Sequence, residues 1–223
     1  IGSLGDKLLK LPCKKMMIDH HLHPASFPDL TLSYPSSPST CELVYRLICE
    51  LQRSDLPSTG VADLQRSDLT NIATCIYTGM MTDTGNFSFN SNYPEMYQII
   101  GELVAFGVNK DEIYNRVFNA YSADRMRLMG YCLYQKMKIF PEHHTALIYL
   151  SRKELYRFNF QSGDAEGIVN LPLQIKDIHY SCFMREDKVN PTEVALAGGS
   201  KTKIKISLRS QGNRPVNVFA KDI

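Results

Sequence analysis

The stretch Met16-Met17-Ile18-Asp19-His20-His21 constrains this chain more than any other. A short apolar run follows two lysines and stops abruptly at a carboxylate and two adjacent imidazoles. Apolar runs of roughly four to six residues bounded by polar signals read as strands of a buried parallel sheet. In open α/β sheets the ligand crevice lies beyond the carboxyl ends of such strands, so Asp-His-His stands where chemistry is expected. Imidazole and carboxylate suit Mn, Zn and Fe, and a ligating His needs a partner that fixes its tautomer. Adjacent residues at a strand end cannot all reach one ion. The roles therefore divide: His20 as ligand, Asp19 as orienter, His21 facing substrate. The competing reading is a surface loop that happens to hold several His, since His23 follows two residues later.

The 223 residues allow one large domain or two modest ones. A formal charge of +2 gives no broad electrostatic case for long nucleic acid or an anionic membrane. No apolar run approaches the roughly 18 to 20 residues of a membrane helix, and no signal peptide is visible. The six cysteines lie far apart without a Cys-x-x-Cys pair, which suits a reducing cytosol and predicts small core residues. Both ends look cut, and the near-repeat Leu51 to Leu56 and Leu64 to Leu69 is too short for a repeat fold.

In order, the chain predicts a helix over 4–11, the strand ending at Asp19, and a short strand over 30–34. Ser39 and Glu42 are spaced as a capping box for a helix with Leu43, Leu47, Ile48 and Leu51 buried. After a loop over 54–67, a helix from Asp68 through Ile72, Cys75, Ile76 and Met80 leads to the turn Thr82-Asp83-Thr84-Gly85-Asn86-Phe87. Pro94 opens a helix that Gly107 stops, and 111–121 forms another. Ser122 caps a long helix over 123–139 with a stripe of Met126, Met129, Leu133 and Met137. The remainder turns β-rich, with strands over 145–150, 178–184 and 203–208, a helix over 152–158, and a hairpin tip at Gly198-Gly199. Arg209 stands at a strand end, either clamping phosphate or as a solvated edge charge.

Asp-His-His at a strand end, followed about sixty residues on by Asp83-Thr-Gly-x-Phe87, resembles the Asp-His-His (DHH) phosphoesterase family. The closer likeness is to its nanoRNase/pAp-phosphatase branch, which includes exopolyphosphatase-related members. The resemblance implies an α/β fold: a Rossmann-like DHH domain with a parallel sheet over 1–121, a linker helix over 122–140, and a smaller α/β DHHA1 substrate-binding domain over 141–223. It implies a centre of two divalent ions, Mn2+ with Mg2+ as the alternative, in which His20 and Asp83 share an ion. His21 would face the scissile phosphate, with Asp19 completing the catalytic pair. Glu166 to Asn170, Lys205 to Ser210 and Val216 to Val218 look like the DHHA1 pattern, and in it Arg209, with Ser210 beside it, contacts the nucleotide or phosphate. The family's His-x-x-x-Asp-x-Asp motif before Asp-His-His, and its Gly-Gly-Gly-His segment after the position of Ile223, are not in this sequence.

The expectation is a cytoplasmic hydrolase of short oligoribonucleotides, dinucleotides or pAp. Its partners would be short RNA or small phosphorylated nucleotides, with no long duplex and no membrane, and a homodimer is compatible. An inorganic pyrophosphatase or exopolyphosphatase, or a non-catalytic nucleotide-binding module on the same scaffold, are the alternatives.

Overall fold

The computed structural model describes residues 4–53, 65–187, 203–212, 214 and 216. The chain divides into two compact units, Ile1–Asn119 and Ala120–Ile223.

In the first unit a short helix, Gly5–Leu9 (α1), precedes Met16–Asp19 (β1) and Leu30–Ser33 (β2). These strands pair in parallel, Met16 opposite Leu30 through Asp19 opposite Ser33. The Asp29 carboxylate accepts the Lys15 backbone N–H at 2.7 Å where the pair begins, and Tyr34 N–H donates to the Asp19 carbonyl at 3.0 Å where it ends. Both ends of the register are thus pinned. The α/β class and the parallel pairing expected from the sequence are both present.

Four helices follow: Thr40–Arg53 (α2), Arg66–Asp83 (α3), Pro94–Ala105 (α4) and Lys110–Phe118 (α5). The buried stripe of α3 is Ala73, Ile76, Tyr77, Met80 and Met81, a run at helical spacing. It meets Met96, Ile99 and Leu103 of α4, Ile113 of α5, and the Cys41, Tyr45, Ile48 and Cys49 side of α2. The expected stripe was rotated by about one position, because Cys75 is exposed. Gly79 explains how closely α2 approaches: a Cβ built there would lie 2.1 Å from the Cys41 sulfur. The expected fifth helix ends at Phe118, three residues early.

In the second unit Lys138–Phe140 (β3), Thr145–Leu150 (β4), Tyr180–Asp187 (β5) and Lys203–Ser210 (β6) form one sheet in that order. The β4–β5 pair is parallel and the other two are antiparallel. Ala146, Ile148, Leu150, Ser181 and Phe183 make the buried face. Over it lie Leu128 of Ala123–Tyr131 (α6), Leu155 of Arg152–Arg157 (α7), and the 3-10 turns of Ile168–Gln174.

The expected continuous helix to Ile139 is corrected. Ser122 caps α6 as expected, accepting from Arg125 N–H at 3.0 Å. The helix then widens into a π turn, Cys132–Lys136, and gives way to β3. Residues five apart lie roughly 140° apart on an α-helix, whereas the wider turn lets Tyr131 and Lys136 reach one carboxylate. The Tyr131 hydroxyl and Lys136 Nζ meet Glu154 Oε1 at 2.6 and 2.8 Å. Glu154 Oε2 accepts from the Ser151 backbone N–H and hydroxyl, each at 2.8 Å, closing the capping box of α7. Leu128 and Cys132 are fully buried in this unit's core, so much of the expected linker is structural core here.

All six cysteines are free; Cys132 is buried, as expected for core residues, but Cys13 and Cys75 are exposed. The loop over 54–64, the Gly198-Gly199 tip and Asn217-Val218 lie outside the described residues. No described helix is long and apolar enough to cross a membrane.

Two outcomes follow for stability. Gly79→Ala should lower the unfolding free energy measured by urea titration by about 1–2 kcal/mol, overpacking outweighing the roughly 1 kcal/mol helix-propensity gain. Cys41→Ala in the same chain should recover most of the loss; an additive double mutant would refute the contact. For Glu154, burial alone would raise the carboxyl pKa, but its donors outweigh burial and hold it at about 2 against an ordinary 4.5. A lowered folded-state pKa stabilises fully above the unfolded value and is lost as pH falls, here between about 4.5 and 2. Glu154→Gln should cost about 1–3 kcal/mol at pH 7 and flatten the acid limb of stability measured by urea titration from pH 6 to 2.

Candidate functional site

β1 ends at Asp19, and the chain turns at once through His20 and His21. The Asp19 carboxylate folds onto the second imidazole: Oδ1 lies 2.6 Å from His21 Nδ1 and accepts the His21 backbone N–H at 3.2 Å. The bond to the His21 ring, and then that to its backbone, hold the Asp19 carboxyl below the usual carboxylate range. Asp19 therefore orients His21 and leaves its largely exposed ring pointing outward.

His20 is oriented by a group that the sequence reading passed over. Its Nδ1 lies 3.2 Å from the backbone carbonyl of Ser37. With Nδ1–H donating there, the Nε2 lone pair is free, and Nε2 lies 3.9 Å from Asp83 Oδ2. The expectation that Asp19 orients the ligand His is thus corrected: a backbone carbonyl does so.

Asp83 is the last residue of α3. The turn after it is locked by Thr84, buried, whose hydroxyl donates to the Met80 carbonyl at 2.6 Å and accepts Phe87 N–H at 3.0 Å. Gly85, Asn86 and Phe87 all take positive φ, at 56°, 58° and 60°. A Cβ at Gly85 would lie 2.7 Å from the Phe89 ring, so only glycine fits there. Phe87 packs edge-on against Tyr77 of α3, ring centroids 5.5 Å apart. This turn terminates α3 at the carboxylate rather than beyond it.

The Ser37 hydroxyl donates to the Ser39 carbonyl at 3.0 Å and lies beside Glu42, a 2% exposed carboxylate on α2. The Glu42 oxygens accept from Arg46 Nε and Nη2 at 2.8 and 2.6 Å and from the Tyr93 hydroxyl, with Ser37 Oγ 3.5 Å away. Burial and then Glu42 raise the Tyr93 hydroxyl pKa, so it stays a donor. Ser39 Oγ does cap α2, accepting Cys41 N–H at 3.1 Å. Glu42, however, turns its carboxylate inward instead of completing the expected capping box. These residues border a cleft of roughly 530 Å³ whose apolar lining is Ile18, Leu32, Leu43 and Leu47.

One divalent ion with donors at about 2.1 Å could touch both His20 Nε2 and Asp83 Oδ2, and the Ser37 carbonyl fixes the tautomer such a ligand needs. The donor chemistry fits a hard or borderline divalent cation. Among the described residues no third His, Cys, Asp or Glu joins them in a cluster.

In the second unit Arg209 lies within β6, not past its end, and its Nη1 donates to the Leu208 carbonyl at 2.9 Å. Ser210 alternates to the opposite sheet face, and its hydroxyl donates to the Arg214 carbonyl. The two expected substrate residues therefore do not share a surface.

No protein-family model matches the chain. It is 24% identical over 185 residues to the bifunctional oligoribonuclease and PAP phosphatase NrnA of Bacillus subtilis, covering 82% of this chain and 55% of that one. Against the protein of the same name from Thermus thermophilus it is 28% identical over 201 residues, covering 89% and 56%. The chain thus spans about half the length of the curated relatives it matches. The crystal structure of an exopolyphosphatase-related protein from Bacteroides fragilis superposes with a TM-score of 0.81 at 45% identity, over 100% of this chain and 58% of that one. With the strand-end Asp-His-His and the helix-end Asp83 in place, these likenesses bear out the resemblance to the DHH/DHHA1 phosphoesterase family.

Proposed function

We propose that the complete protein is a divalent-metal-dependent phosphoesterase that hydrolyses short oligoribonucleotides, dinucleotides or pAp. The observation that carries this reading is the convergence of His20 Nε2 and Asp83 Oδ2 from two different elements, 3.9 Å apart, beside an imidazole already oriented by Asp19. The names of the NrnA relatives support the substrate class.

His20 and Asp83 would hold one ion. Mn2+ there, with Mg2+ as the alternative, supplies a water of lowered pKa and a sink for charge developing on phosphate oxygens. The residues of the chain do the rest. Ser37 keeps the His20 proton on Nδ1. The anionic Asp19 takes the His21 Nδ1–H and keeps the ring turned outward, where Nε2 of the imidazolium form would donate to a phosphate oxygen. Within the second unit, considered by itself, Arg209 carries a guanidinium fork of the kind that binds phosphate. A preference for pyrophosphate or polyphosphate is the second reading, favoured by the exopolyphosphatase-related structural neighbour.

Chromatography of pApA incubated with the complete protein and Mn2+ should show AMP release that EDTA abolishes. Release of phosphate from polyphosphate with pApA intact would favour the second reading instead. Asp83→Asn should reduce Mn2+-dependent turnover by more than about 100-fold, beyond what loss of an outer-shell partner usually costs; wild-type turnover would remove Asp83 from the site. Arg209→Ala should raise KM with little change in kcat, and an unchanged KM would exclude it from substrate binding.

A further inference from the structure

The turn that ends α3 displays, close to Asp83, an aromatic ring that the core of the first unit does not use. Phe89 is 61% exposed, more than any other phenylalanine among the described residues. A phenylalanine has no hydroxyl or ring nitrogen to offer water, so a large exposed ring is a standing cost. The more exposed aromatic side chains, Tyr134 and Tyr156 at 86%, each carry a hydroxyl and lie in the second unit.

Phe89 is also held still. Its own N–H and that of Ser88 both donate to the carbonyl of buried Thr84, at 2.9 Å. Just beyond it the hydroxyl of buried Ser91 donates to the Phe87 carbonyl at 2.7 Å. The Cδ2–Cε2 edge of the ring rests on Gly85, where a Cβ would come within 2.7 Å of both carbons. Asn86, Phe87 and Asn90 flank the ring with left-handed φ of 58°, 60° and 50°. Bulky residues rarely accept that conformation, and strain of this kind clusters where function needs it. Ending α3 at Asp83 accounts for Asn86 and Phe87. It accounts neither for Asn90 nor for an exposed ring at position 89. Gly85 is two residues from Asp83, so their Cα atoms are at most about 7.6 Å apart. The ring on Gly85 thus stands next to the carboxylate that would share an ion with His20.

We propose that Phe89 is a stacking platform for a nucleobase of the substrate, making this a site for nucleotides rather than for inorganic phosphate chains. An ion held by His20 and Asp83 would grip a phosphate whatever is attached to it. An aromatic ring discriminates, because every base has a π-face to lay against it and polyphosphate has none. Stacking reads no base edge, so the platform accepts any base and favours no sequence. A ring immobilised before binding loses little freedom when the base arrives. The inference rests on the phosphoesterase reading for the place of the phosphate. It goes beyond that reading by choosing between its nucleotide and polyphosphate alternatives.

The test is fluorescence binding to the complete protein with Mg2+. Two probes are analogues of pApA, with 2-aminopurine at the first or the second position. Their bridging ester oxygen is replaced by methylene, so they bind uncut, and 2-aminopurine emission falls when the base stacks on an aromatic ring. Wild type should quench at least one probe. Phe89→Leu, which keeps bulk over Gly85 without a ring, should abolish that quenching and weaken binding by about tenfold, as for one lost stack. Phe89→Tyr should retain both. Tripolyphosphate, measured by competition, should bind the wild type and Phe89→Leu equally. Wild-type affinity and quenching in Phe89→Leu would overturn the platform. So would an equal loss for tripolyphosphate, which would reduce the ring to a support for the Asp83 turn. Stacking differences that persist without pApA hydrolysis in Mn2+ would remove the phosphoesterase reading and leave the platform standing. Normal hydrolysis, with Phe89→Leu binding the probes like wild type, would do the opposite.

Discussion

A single buried carboxylate, that of Glu42, organises the first unit. Burying a charge costs several kcal/mol unless the partners are well placed, and breaking such a cluster typically costs about 3–5 kcal/mol. The partners come from separate stretches: Arg46 one turn along α2, Tyr93 at the approach to α4, and Ser37 in the loop after β2. The Ser37 carbonyl beside this cluster receives the His20 ring, so the packed surroundings of Glu42 border the group that fixes the tautomer of a candidate ligand. The rigidity of the site is thus borrowed from a charge that could not exist alone at that depth.

The second unit repeats the device with other residues. Glu154 gathers Tyr131, Lys136 and Ser151, tying the π turn to the start of α7. In both places a carboxylate that the fold must satisfy dictates a local departure from regular structure. The first keeps an irregular loop fixed beside a strand end, and the second holds a helix open by one residue per turn. Satisfying the acceptor selects the backbone conformation, rather than the reverse.

This is also why the sequence was legible only in part. Element types followed from periodicity: the short run ending at Asp19, the cap at Ser122, the alternation of 145–150 and 203–210 are local signals. Partners distant along the chain left none. Glu42 stands three residues after Ser39, the spacing of a capping box, and nothing nearby showed that Tyr93, 51 residues away, would claim it. Gly85 announced a turn, but the positive φ of Asn86 and Phe87 depends on the buried Thr84 and on Tyr77 packing. The helix expected to reach Ile139 stopped because Phe140, Ile139 and Lys138 pair with β4, a contact no helical stripe reveals. For the site itself, His20 and Asp83 came together as the resemblance implied, whereas the orienting carbonyl of Ser37 had no side-chain signature at all.

Charge placement carries the same logic to phosphate recognition. A chain with a formal charge of only +2 cannot draw in a polyanion by its overall field. Recognition must then be local, made where cations are left without carboxylates. Some exposed cations of the described surface are matched: Arg116 with Glu112, Arg127 with Asp124, Lys110 with Asp111. Such exposed pairs add little stability, but each removes a charge that would otherwise attract anions indiscriminately.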